Sequence, residues 1–218
     1  MKIITILAYK DKGFTLVEMA IVLVIIGLLA TAFLTPLSAQ LEQSRNAEAR
    51  RDLAEIKEAL LGFAVINGRL PCPDVNGDGT DDGCPNTNTN ATTGGNVPWT
   101  ILNTKQLDPW GRRYQYQVNN AFSTAFILTT TGSGAGLIRV CTTNACGGTE
   151  ANNVPLVIFS TGKNGAILPP TSLDEQENID IDKDFVSHDF STGGFDDIVV
   201  WISTNVLMNR MVSVGKLP

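Results

Sequence analysis

Residues 14–37 read FTLVEMAIVLVIIGLLATAFLTPL, 24 residues in which Glu18 is the one charge. At about 1.5 Å of rise per residue, a helix of that length spans roughly 36 Å, enough for a hydrocarbon core about 30 Å thick. The segment before it, MKIITILAYKDKG, carries Lys2, Lys10 and Lys12 against Asp11, and the first basic residues after it are Arg45, Arg50 and Arg51. That asymmetry predicts a cytoplasmic N-terminus with the rest of the chain across the membrane. A cleavable secretory signal fits poorly. Its apolar region is shorter and precedes an A-x-A-like site, which Leu37-Ser38-Ala39 hardly matches. A plain signal anchor explains the apolar run but not Glu18, because a carboxyl group in such a span costs about 2.5–3.5 kcal/mol and implies a partner. Gly27, Ala30 and Ala32 permit close helix approach, and Pro36 is expected to bend or loosen the helix.

Further along, Leu41, Arg45, Ala49, Leu53, Ile56, Leu60 and Phe63 fall at steps of three or four, with Arg45 interrupting an apolar face. Arg51 and Glu55 stand at i,i+4 as a favourable pair, and Glu48 and Asp52 as a mildly repulsive one, on a face expected to be solvated. Residues 14–67 therefore predict one long helix, about 80 Å if continuous. Its membrane half is 14–37 and its amphipathic half 38–67. Beyond Gly68 the composition turns to Gly, Asn, Thr and Pro, with β-like runs at 113–118, 125–131, 137–143, 154–161 and 197–203 and a short helix at 205–214. An antiparallel sheet laid on the helix gives an α+β head over 68–218. No repeat of fixed period and no linker for a further domain is evident.

The 218 residues are 43% hydrophobic and 17% charged, which argues against a disordered chain or a pure coiled coil. A net charge of −6 removes the usual electrostatic basis for binding nucleic acid. One histidine, His188, excludes most histidine-based catalysis and zinc chemistry, and is read as a surface loop residue. Ser160-Thr161-Gly162-Lys163-Asn164 lacks both the earlier Gly and the Ser or Thr of a phosphate loop, so it reads as a turn between strands. Gly132-Ser133-Gly134 lacks nucleophile-elbow spacing. No enzyme is expected.

Lys12-Gly13-Phe14-Thr15-Leu16-Val17-Glu18-Met19 resembles the processing site of type IV prepilins and of type II secretion pseudopilins. The resemblance implies a pilin-like fold and cleavage of leader 1–13 between Gly13 and Phe14 by a prepilin peptidase, with N-methylation of Phe14. It implies that Glu18 meets the N-terminal amine of a neighbouring subunit during assembly. Two charges that are costly alone in lipid are then paired. The implied partners are the peptidase, other pilins or pseudopilins and an inner-membrane assembly platform protein. The implied location is the bacterial inner membrane, with the head in the periplasm, and later a filament. The Asp108-Pro109-Trp110-Gly111 turn resembles the major pseudopilin, while the added length and cysteine-containing loops resemble a minor pilin or pseudopilin.

In an oxidising periplasm the four cysteines are expected as disulfides. Of three possible pairings, Cys72–Cys84 with Cys141–Cys146 closes the shortest loops. Within the first loop, Asp74, Asn76, Asp78, Thr80 and Asp82 follow the first half of an EF-hand calcium loop, but Pro85 stands where its bidentate Glu belongs. The readings are a calcium site or an Asx- and Gly-rich turn closed by a disulfide; no other cofactor is expected. A second acidic run, Asp174, Glu175, Glu177, Asp180, Asp182 and Asp184, reads as a solvated loop. Asp196 and Asp197 lie near the region where major pseudopilins hold calcium, at a different spacing. The competing functional reading is a monomeric, membrane-anchored, calcium-dependent binding module.

Overall fold

The computed structural model describes residues 13–84, 92–130, 138–180, 182–190 and 194–217, and no side chains for residues 30–37. The leader before Gly13, and Pro85, lie outside the described residues. The chain divides into two compact units, Met1–Ser44 and Arg45–Pro218. Helix α1, Leu16–Asn67, runs through both and does not stop at Pro36.

In the first unit, residues 14–29 are exposed all round the helix, Leu16 being 87% exposed and Ile26 55%. Part of the expected 24-residue span falls on residues 30–37, and among the described residues no helix is long and apolar enough to cross a membrane.

In the second unit, Ala49, Leu53, Ile56, Leu60 and Ala64 are fully buried along one stripe of α1. Each large one contributes about 1.5–3 kcal/mol relative to exposure. The helix ends at Gly68, whose φ of 72° lets its N–H reach back to Ala64 O at 2.8 Å. The stripe packs on a four-stranded antiparallel sheet of order β1-β2-β5-β7, formed by β1 (Thr92–Asn96), β2 (Gln115–Asn119), β5 (Leu156–Ser160) and β7 (Ile198–Ile202). A second sheet of order β4-β3-β6 contains β3 (Ile138–Cys141), β4 (Thr149–Val154) and β6 (Asp184–Val186), with β3 and β6 parallel.

Strand β5 explains the layering. Leu156 and Ile158 join the core beneath α1, while Val157 and Phe159 join a second core with Ile138, Val140, Val154 and Phe185 of the smaller sheet. Alternation of side chains makes it a strand buried on both faces. The expected single strand over 154–161 is instead two strands in different sheets, divided at Pro155, which has no N–H for a ladder. The expected strand at 125–131 is absent from its described residues; Ile127 and Thr130 close a turn on each other.

Three further short helices complete the head: α2 (Trp99–Leu102), α3 (Leu173–Ile179) and α4 (Thr204–Ser213). Helix α4 is capped by Ser203 Oγ, which accepts from Val206 N, and it buries Leu207, Met208 and Met211 against the first core. Asp52, read as a solvated residue, is buried. It accepts from Tyr114 Oη at 2.9 Å and pairs with Lys105, which also holds Glu48. Lys105 thus relieves the expected Glu48–Asp52 repulsion, whereas Arg51 and Glu55 form no ion pair among the described residues.

Candidate functional sites at the helix start and in a buried carboxylate cluster

At the helix start, Phe14 is 80% exposed and follows exposed Gly13 outside regular structure. Thr15 donates to Glu18 Oε2 through its N–H (2.9 Å) and its hydroxyl (2.8 Å), and Glu18 N–H donates to Thr15 Oγ1 at 3.2 Å. This reciprocal capping box satisfies backbone donors that a helix start leaves open. It gives Glu18 a polar partner within its own chain.

Cys72 is bonded to Cys84 (Cα–Cα 5.3 Å) and Cys141 to Cys146 (5.0 Å). Inside the first loop most of the expected ligand oxygens accept hydrogen bonds from their own loop. Asp74 Oδ1 accepts from Gly77 N, Asn76 Oδ1 from Asp78 N, Asp78 Oδ1 from Thr80, and Asp82 from Val75 and Asn76. The oxygens that would bind a cation close Asx turns instead. A side chain supplies the positive charge: Arg113 donates to Gly77 O at 3.0 Å, lies 4.0 Å from the fully buried Asp74 carboxylate and sits over the Trp99 ring. Gly77 sits at φ 89°, a left-handed backbone that strains any residue with a Cβ. In this structure the loop is an Asx-rich turn built beside an arginine, with Asp74 Oδ2 buried and without a hydrogen-bond partner.

Among the carboxylates that do converge is a buried set, Glu175, Asp196 and Asp197, with oxygens within 4.8 Å of one another. The acidic run expected to be solvated forms α3, which turns Glu175 inward to 1% exposure. Beneath it, Gly162 at φ 59° lets the following turn wrap Asp196, whose Oδ2 accepts from Lys163 N (3.0 Å) and Asn164 N (3.1 Å). The sequence resembling a phosphate loop thus holds the protein's own carboxylate. Asn164 Nδ2 donates to both Glu175 oxygens, and Asn178 Nδ2 donates to Asp197 Oδ2 at 2.8 Å. Asp196 Oδ1 is buried without a hydrogen-bond partner. Burial raises Asp196 to about 6 and Asp197 to about 8, with like-charge repulsion from Glu175 adding to both. The Asp108 turn fixes this region: Asp108 Oδ1 accepts from Trp110 N and Arg112 N, and its Oδ2 accepts from Ser160 Oγ at 2.6 Å, at the end of β5.

Residues 9–34 match the prokaryotic N-terminal methylation motif, and residues 37–135 match the family of type II secretion system protein G. These matches support a type II secretion pseudopilin or pilin family. The type II secretion system core protein G of Pectobacterium carotovorum subsp. carotovorum is 33% identical over 63 residues, 29% of this chain. The match spans 40% of that relative's length. No solved structure matches the chain. In this pilin-like chain the carboxylate cluster lies beyond the part matched to protein G. Its donor set suits a hard divalent cation nonetheless: three carboxylates, one orphaned buried oxygen and burial that penalises their unneutralised charge.

His188 is only partly exposed. Its ring stacks on Phe195 with centroids 3.9 Å apart, and Nε2 lies 3.1 Å from Asp174 Oδ2. No signal in the sequence pairs residue 175 with 196 and 197; α3 and the turn after β5 create that proximity.

Proposed function

We propose that the chain is a non-enzymatic subunit of a type II secretion pseudopilus or a type IV pilus, anchored in the inner membrane and assembled through its N-terminal helix. The observation carrying this is the helix start. A Gly13-Phe14 junction outside regular structure precedes an all-round apolar helix surface on which Glu18 is the one charge. Exposed apolar area of that extent needs lipid or neighbouring helices. In this reading prepilin peptidase cuts between Gly13 and Phe14, Phe14 is N-methylated, and its amine pairs with Glu18 of a neighbour on the assembly platform. Glu18 leaves its Thr15 cap for that partner. The head faces the periplasm, where both disulfides are at home.

Calcium would be held by Glu175, Asp196 and Asp197, with Asn164 and Asn178 orienting the carboxylates. A bound divalent ion supplies charge neutralisation inside the head. Intact mass and N-terminal sequencing, with and without the peptidase, test the proposal. A peptidase-dependent start at methylated Phe14 supports it; a chain beginning at Met1 under both conditions refutes it. Glu18→Ala separates a subunit from a monomeric anchored binding module, since a mere anchor inserts as well or better and a subunit fails to assemble.

A further inference from the structure

Two clefts of the head, lined by different residues, are complementary to each other. Around α3, Leu168 is 73% exposed and Leu173 63%, beside a cleft of about 430 Å³ that includes Pro169, Gln176 and Glu177. Acidic groups rim this apolar edge. Oxygens of Glu177, Asp182 and Asp184 lie within 4.8 Å of one another, and the nearby Arg139 is already engaged by Asp184. Glu177 and Asp180 both line this cleft, so its rim carries negative charge.

The second surface is a cleft of about 440 Å³ between α1 and α4, floored by Leu61 and Val206 and bordered by Arg210. Lys57 stands one turn before Leu61 and has no ion-pair partner among the described residues. Arg210 is paired with Glu58, but both side chains are about half exposed, and such pairs contribute little and exchange readily.

We infer that the α3 edge of one head docks into the α1–α4 cleft of a second copy of this chain, Leu173 entering beside Val206 while Glu177 and Asp180 face Lys57 and Arg210. A contact between two different surfaces of one chain is heterologous, and repeated without closure it generates a helical filament. Charge complementarity sets register and partner choice, and the apolar knob supplies the buried area. The inference rests on the subunit reading above and specifies which head surfaces meet.

The test uses the full chain co-expressed with its peptidase. The described cysteines are all disulfide-bonded, so Leu173→Cys with Val206→Cys introduces the only new thiols. Assembled material treated with a short bifunctional thiol reagent should give a multimer ladder that neither single variant gives. Glu177→Lys with Asp180→Lys should reduce the ladder about tenfold, as should Lys57→Glu with Arg210→Glu. Combining all four reversals should restore it, which also excludes misfolding as the cause of the loss. A ladder indifferent to the reversals, no restoration, or no ladder from filaments that do form would each overturn the inference. A wild-type chain that is never processed at Phe14 overturns the subunit reading first, and this inference with it.

Discussion

Asp197→Asn should uncouple the stability of the head from both pH and calcium. In the folded chain Asp197 is held at about 8, against an ordinary value of 3.8, because it is buried beside Glu175 and Asp196. An acid raised in the folded state binds its proton more tightly there than in the unfolded chain. Its contribution is fully present below pH 3.8 and is lost as pH rises towards 8. At about 1.36 kcal/mol per pH unit the limit is on the order of 6 kcal/mol, less as the three acids share protons. A divalent cation bound by the ionised cluster offsets this loss. Present at about 100 times its Kd, it adds roughly 2.7 kcal/mol, a rise of several degrees in Tm for a head of this size. The assay is thermal unfolding of the full chain in detergent, from pH 5 to 8.5, in chelator and in millimolar calcium. Wild type should lose stability with rising pH in chelator and regain it in calcium, with affinity growing as the ligands deprotonate. Asp197→Asn should show a flatter pH dependence and little response to calcium. A wild-type protein that is insensitive to calcium at pH 8 and equally stable across the range would refute the reasoning.

Arg113→Met strands the fully buried Asp74 carboxylate and should lower stability by about 3–5 kcal/mol in urea titrations, with much of the loss recovered when Asp74→Asn is added. Calcium should rescue the single variant less than Asp74→Asn does, because Asp74 Oδ1, Asn76 Oδ1 and Asp78 Oδ1 remain engaged in their turns. Leu60→Ala, in the buried stripe of α1, should cost about 2–5 kcal/mol by the same measurement. Gly162→Ala places a Cβ against the Asp196 carboxyl in a left-handed backbone, so it should both destabilise the head and weaken any calcium response.

What the sequence reveals here depends on whether the deciding contacts are local. The prepilin-like start is legible because its Gly, Phe and Glu stand at fixed spacing ahead of an apolar run. The seat of α1 is legible because Leu53, Ile56 and Leu60 repeat with the helical period. The carboxylate cluster is not. Asp174 to Asp184 reads as a solvated run, and only the fold brings Glu175 over Asp196 and Asp197. Nor does the spacing of the loop at residues 74–82 reveal that Arg113, 39 residues after Asp74, stands beside its carboxylate. Strands β1, β4 and β6 escape notice because Thr92–Asn96 and Thr149–Val154 are rich in Gly, Asn and Thr and β6 is only three residues long. Their place is set by pairing partners, not by their own propensity.

The same layering connects the cluster to the seat of the long helix. Asp197 immediately precedes Ile198, the first residue of β7, and Ile198 is registered against Ser160 at the end of β5. Ser160 in turn donates to Asp108, and the turn after it wraps Asp196. Along these two strands Leu156, Ile158, Ile198 and Ile202 form much of the surface on which α1 rests. Repulsion among the three carboxylates therefore acts on the ends of the strand pair beneath the helix, and neutralising it tightens that pair. If the cluster takes up calcium as proposed, the ion should govern how firmly the head half of α1 is seated on these strands.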